Sequence, residues 1–104
     1  MLELRPNCEW CDCDLPPDDA RARICSYECT YCATCVQTHL KNVCPTCGGN
    51  FVPRPTRPRR EWRSGSGLGL GHHPASLKRR HSHWDEQHVQ MMADMIAEIP
   101  PEER

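Results

Sequence analysis

CEWCDC (residues 8–13), CSYECTYCATC (25–35) and CPTC (44–47) together hold all nine cysteines of this chain. The spacing is Cys8-x2-Cys11-x-Cys13, then Cys25-x3-Cys29-x2-Cys32-x2-Cys35, then Cys44-x2-Cys47. A Cys-x2-Cys turn, or knuckle, points two thiolates at one tetrahedral ion, with bonds of about 2.3 Å to zinc, so two such turns close a structural site. Two arrangements of the pairs compete. A sequential one joins Cys8, Cys11, Cys25 and Cys29, leaving Cys32, Cys35, Cys44 and Cys47. An interleaved one takes Cys8, Cys11, Cys32 and Cys35 as site 1 and Cys25, Cys29, Cys44 and Cys47 as site 2. The crowding of Cys29, Cys32 and Cys35 favours alternation, which also ties both ends of the segment to its middle.

The cysteine-bearing half cannot rely on burial. Its apolar side chains are few, chiefly Leu15, Ile24, Tyr27, Tyr31, Val36, Leu40, Val43, Phe51 and Val52, too few for a fold of this size without a staple. Disulfides and zinc are the candidates. The start, MLELRPNCEW, lacks the charged-then-apolar pattern of a secretory signal. No apolar run approaches the roughly twenty residues of a membrane helix. A reducing cytoplasmic setting is therefore expected, where thiols bind metal, and an odd cysteine count would leave a disulfide framework one thiol over. Two zinc ions per chain are the expected cofactor.

Outward from the cysteines, DLPPDDARA (14–22) reads as a proline turn and loop, Arg23–Tyr27 as a short strand and Ala33–Asn42 as one short helix. Val36 and Leu40 are expected to face inward against Ile24 and Tyr31. Gly48 and Gly49 supply backbone freedom after the last knuckle.

The order C-x2-C, loop, C-x3-C-x2-C-x2-C, helix, C-P-x-C resembles the RING finger pattern over Cys8 to Cys47, with Tyr31 and Pro45 at positions typical of it and Cys29 where the usual RING has histidine. The resemblance implies a small metal-stabilised α+β module, cross-braced and of treble-clef type. LELRPNC (2–8), CDCDLPPD (11–18), ECTYCATC (28–35) and VCPTCGG (43–49) are similar to a family of small, mostly bacterial proteins known as domain of unknown function twelve-seventy-two, with the likeness ending near Pro58. Members of that family usually carry another cysteine before the position of Cys11 and a lysine at that of Cys13. This chain has Trp10 and Cys13 there, which implies that Cys13 is spare. The family name carries no activity.

The formal charge of −1 hides three blocks, because residues 53–83 hold eight of the thirteen Lys and Arg and residues 84–104 hold six of the fourteen Asp and Glu. Residues 4–52 are thus expected to fold as the zinc module and residues 53–83, rich in Pro, Arg, Gly and Ser, to form a disordered basic linker. Over 84–99, Val89, Met92, Ile96 and Ile99 recur at helical spacing, with Met91 and Met95 widening the stripe. Ser82 is a candidate cap, Pro100 and Pro101 stop the helix, and 100–104 form a disordered tail. The helix is expected to pack on its own module or to pair with another copy.

Arg54, Arg57, Arg59, Arg60 and Arg63 are candidate phosphate contacts, with Trp62 as a stacking platform. A solvated linker has the same composition, and the module itself is acidic. Catalysis has little support: no Ser/His/Asp set, phosphate-cradling glycine loop or HExxH motif occurs, and two full tetrahedral sites leave no open position for water. Asp12 and Asp14 beside Cys13 oppose a reactive thiolate there. His39 reads as a surface residue, and the histidine pairs His72/His73 and His81/His83 as at most weak metal holders. The expected function is a non-catalytic zinc module that presents a surface to an unidentified protein partner. The alternatives are a ubiquitin-ligase-like scaffold and a nucleic-acid-associated protein binding through the arginine-rich linker. No membrane association is expected.

Overall fold

The structure, a computed structural model, describes residues 1–104. Its elements are β1 (Ala22–Ile24), β2 (Thr30–Cys32), α1 (Ala33–Cys35) running directly into a π-helical turn (Val36–Leu40), β3 (Val52–Pro53), α2 (Glu86–Ile96) and a closing 3-10 turn (Pro101–Glu103). The three strands form an antiparallel sheet in the order β2-β1-β3, with Ile24 opposite both Thr30 and Val52.

The strand expected over Arg23–Tyr27 lies slightly earlier and is shorter. Its path ends where Glu28 N–H bonds back to Cys25 carbonyl (3.0 Å) and Glu28 takes a φ of 68°. That tight turn is what lets Cys25 and Cys29 aim their thiols the same way. The helix expected to reach Asn42 stops at Leu40, because Lys41 and Asn42 both adopt positive φ, 53° and 59°, and turn the chain toward the last knuckle. Asn42 then accepts Phe51 N–H through Oδ1 (2.9 Å). Val36, Leu40, Ile24 and Tyr31 are all buried, as their spacing predicts. Tyr31 meets Phe51 edge-on at 5.4 Å, a favourable aromatic geometry. This small core sits between the two groups of cysteines and includes several of them.

Residues 53–83 depart from the expectation of a free linker. Beyond β3 they have almost no regular structure, yet they lie along the module. Arg54 N–H continues the sheet by bonding Ala22 carbonyl (3.0 Å), Ser76 N–H reaches Leu4 carbonyl (3.0 Å) and Ser82 N–H reaches Glu9 carbonyl (2.8 Å). The physical reason is charge as well as backbone pairing. Arg79 meets Asp12 and Asp14, Arg80 meets Glu3, and His81 meets Asp12, so part of the basic block is matched by the acidic module.

The C-terminal helix is shorter than its sequence window. Asp85, not Ser82, caps it by accepting His88 N–H (2.9 Å), while Ser82 Oγ accepts Trp84 N–H (3.2 Å) ahead of the helix. Its buried residues are Val89 and Ala93, the helix packs on the Val36–Leu40 turn, and the half-buried Met92 and Ile96 of the expected stripe lie over Gly48. Met91 and Met95, read from sequence as widening that stripe, point away from it and are 53% and 61% exposed. The tail is also held: Arg104 donates to Asn42 and Gly48 carbonyls (3.0 and 3.2 Å). No helix is long and apolar enough to cross a membrane.

Candidate metal centres

The first knuckle is built by its own backbone. Cys8 N–H bonds Cys13 carbonyl and Asp12 N–H bonds Cys8 carbonyl, both at 2.9 Å, with Asp12 at a φ of 65° closing the turn. Inside it, the N–H groups of Trp10 and Cys11 point at Cys8 Sγ, each at 3.5 Å. The other turns repeat the device, with Tyr27 N–H on Cys25 Sγ (3.4 Å) and Gly49 N–H on Cys47 Sγ (3.3 Å). Such donors favour the ionised sulfur, the form that binds metal.

Cys32 at the end of β2 and Cys35 at the end of α1 meet this knuckle. The sulfurs of Cys8, Cys11, Cys32 and Cys35 all lie within 4.8 Å of one another. The Cys11 to Cys32 separation is 3.8 Å, which is the edge, about 3.8 Å, of a tetrahedron with metal–sulfur bonds of about 2.3 Å. A disulfide needs about 2.05 Å, and all nine cysteines are free thiols. The second group brings together Cys25, Cys44 and Cys47 within the same 4.8 Å. Cys29 lies outside that tight trio but beside it, its carbonyl accepting Cys25 N–H (3.2 Å). The two groups alternate along the chain, Cys8 lying with Cys32 and Cys35 rather than with Cys25.

Electrostatics make these clusters unsatisfied as bare thiols. Burial, then the charges of Cys8 and Cys32, pushes the Cys35 thiol up. Cys44 is raised by the thiols of Cys25 and Cys29 and then by burial. Cys25 is driven down because those neighbours, Cys29 first and then Cys44, donate to it. Burial raises Cys11, but Cys13 N–H and the surrounding thiols outweigh it and bring this exposed thiol to about 7. Packing four thiolates this closely is unfavourable until a cation joins them, and each group is accordingly a site that can hold a metal ion.

The remaining candidates separate. Cys13 packs against the edge of the first group but is not among its four close sulfurs. Burial, then Cys11 and Cys32, holds its thiol up at about 12, which disfavours a reactive thiolate. His39 is exposed, leans on Trp10 of the first knuckle with ring centres 6.0 Å apart, and joins neither group. Among the five arginines, Arg54 is only 7% exposed and donates to the carbonyls of Arg5, Leu15 and Pro16. Arg57 bonds Leu2 and His73 carbonyls (2.6 and 2.7 Å). Both therefore serve the fold, which corrects their reading as phosphate contacts. Arg59, Arg60 and Arg63 are exposed.

Two supporting residues had no signal in the sequence. Asn7, fully buried at 0% exposure, donates to Cys8 carbonyl, Asp12 Oδ1 and Arg80 carbonyl and accepts Arg80 N–H. Glu9, within the first knuckle, accepts Thr30 N–H and Arg5 Nη1, fixing the knuckle to β2. The partners of Asn7 and Glu9 lie 73 and 21 residues away, beyond any local pattern.

Comparison with known proteins places this geometry in a family. A relative from Rhizobium meliloti (strain 1021), described as "Uncharacterized protein R02474", is 62% identical over 58 residues, covering 56% of this chain and 69% of the relative. No solved structure matches. The family described as "Protein of unknown function (DUF1272)" matches residues 1–57, the span that carries both cysteine groups, and the chain belongs to that family.

Proposed function

We propose that residues 4–52 are a RING-like, cross-braced double zinc module of treble-clef type whose task is structural presentation of a surface to a protein partner, not catalysis. The tetrahedral spacing of Cys8, Cys11, Cys32 and Cys35 carries this reading. All-sulfur donors select soft or borderline ions, and zinc fits a tetrahedral thiolate set without redox chemistry. Cys25, Cys29, Cys44 and Cys47 hold the second ion, with Cys29 moving slightly inward to complete it. Zinc supplies the folding free energy that the small core lacks, and the knuckle N–H groups stabilise the sulfurs it binds. Four thiolates fill each ion's coordination, so no position remains to activate water. A cytoplasmic, reducing location follows from the need to keep eight thiols reduced.

Metal analysis of the purified chain tests the proposal. Two zinc ions per chain are expected, Cys8→Ser and Cys44→Ser each removing one, while Cys13→Ser keeps both. One ion per chain, or none, would overturn it.

A further inference from the structure

Two groups among the charged side chains outside the ion pairs are of opposite sign. Arg59, Arg60 and Arg63 form no ion pair, and neither do Glu86, Asp94, Glu98, Glu102 and Glu103. Arg60 and Arg63, but not Arg59, line a cleft of about 280 Å³ together with Arg57, Trp62 and Leu68 among others. Arg57 bonds only carbonyls there, so its charge is uncompensated as well. Trp62 stands 76% exposed with the Arg60 guanidinium 5.9 Å from its ring.

This cleft is held by its own loop. Leu70 N–H bonds Pro58 carbonyl (2.9 Å), and Glu61 meets His72 Nε2 (2.7 Å) across it. Gly69, with a φ of 107°, passes so close to Arg60 carbonyl that a Cβ would lie 3.0 Å from it.

The acids lie on the outer face of α2 and the tail. A shallow groove there is lined by Glu86, Gln87, Gln90, Met91, Asp94 and Met95. The inner face of the helix is already spent on the module, so the methionines have no partner within the chain. One patch is thus a cleft around Trp62 and Leu68 with a cationic rim, the other an exposed helix face that carries Met91 and Met95 beside Glu86 and Asp94. Each is what the other lacks.

We infer that the Met91/Met95 face of α2 docks in the Arg60/Trp62/Arg63 cleft of a second copy of this chain. Carried out reciprocally about a two-fold axis, the contact forms twice and closes a dimer. Flexible methionine against an aromatic ring is a favourable filling for such a cleft, and the opposite rims fix the register and speed the encounter. A nucleic acid would use the same cations, but the acidic face on the same chain repels a polyanion and leaves Met91 and Met95 unexplained. The inference is independent of the zinc assignment, except that α2 is seated on the zinc module.

Sedimentation of the zinc-loaded full chain tests it. At concentrations on the order of 100 µM in low salt, where an interface at the small end of the specific range associates, the mass is expected to grow from 12.0 kDa toward twice that value. Arg60→Glu/Arg63→Glu and Asp94→Lys/Glu98→Lys chains are each expected to remain monomeric, and an equimolar mixture of the two to dimerise again, because each supplies the charge the other has lost. Zinc content and circular dichroism on the same samples separate loss of docking from loss of fold. A wild-type chain that stays monomeric, variants that associate as wild type does, or a mixture of folded variants that stays monomeric overturns the inference. A monomeric chain that binds a short single-stranded oligonucleotide through the same arginines also overturns it and assigns the cleft to nucleic acid.

Discussion

Asn7, itself out of contact with water, offers one side-chain amide to the first knuckle, to Asp12 and to a backbone segment seventy-three residues away. Asn7→Ala is expected to lower the stability of the zinc-loaded protein by about 1–3 kcal/mol, the usual cost of stranding buried partners, read as an earlier denaturant midpoint with both ions still bound. Arg54 makes a comparable prediction by shape. Its fork serves three carbonyls at once, a geometry that a point-like ammonium cannot reproduce. Arg54→Lys is therefore expected to cost about 1–3 kcal/mol, whereas Arg59→Lys, at an exposed position, leaves the midpoint unchanged. The sequence made the cysteines conspicuous because their chemistry is rare and their spacing is local. It could not separate Arg54 from Arg59, since composition treats a buried fork and a solvated charge alike.

At the level of elements, α2 was legible as a helix because its apolar residues repeat at three and four. Its inward stripe of Val89, Met92 and Ile96 was legible too, whereas the outward turn of Met91 and Met95 was not, because that depends on the Val36–Leu40 turn and on Gly48, which belong to a distant part of the chain. Gly48 shows the dependence in one residue. Its φ is 79°, and an added Cβ would come within 3.4 Å of Ile96 Cδ1. Gly48→Ala is expected to destabilise by about 1–2 kcal/mol from the left-handed backbone alone and to loosen the C-terminal end of α2, seen as faster amide exchange near Ile96. The N-terminal end depends on Asp85. Its carboxyl is held below the usual range by His88 N–H and then by the His88 ring. A group depressed in this way contributes above its unfolded pKa, and the contribution fades as pH falls through the folded value. Asp85→Ala is expected to bring the same loss at neutral pH, with faster exchange over the first turn of α2. Ser82→Ala should leave that turn unchanged, since Ser82 is not its cap.

For the whole molecule, three charge blocks were readable, but the placement of the middle block along the cysteine-rich segment was not. Pro and Gly remove regular structure without preventing contact, and the contacts made by Arg79 and Arg80 join residues far apart in sequence. On the proposed double zinc module, stability rests on the metal-bound clusters, which fixes the sign of its pH dependence. Thiols whose pKa falls on binding zinc stabilise the fold above their unfolded range, near 8.5, and lose that contribution as pH drops through the bound value. Zinc release and loss of the circular dichroism signal are expected to share one midpoint on acidification. Chelation at neutral pH should unfold residues 4–52 in the same way. The most direct test of the central claim is cadmium NMR on the cadmium-substituted chain, in which scalar coupling reports which cysteine β-protons share an ion. The account predicts one ion coupled to Cys8, Cys11, Cys32 and Cys35 and another coupled to Cys25, Cys29, Cys44 and Cys47. A single ion coupled to both Cys8 and Cys25 would contradict it.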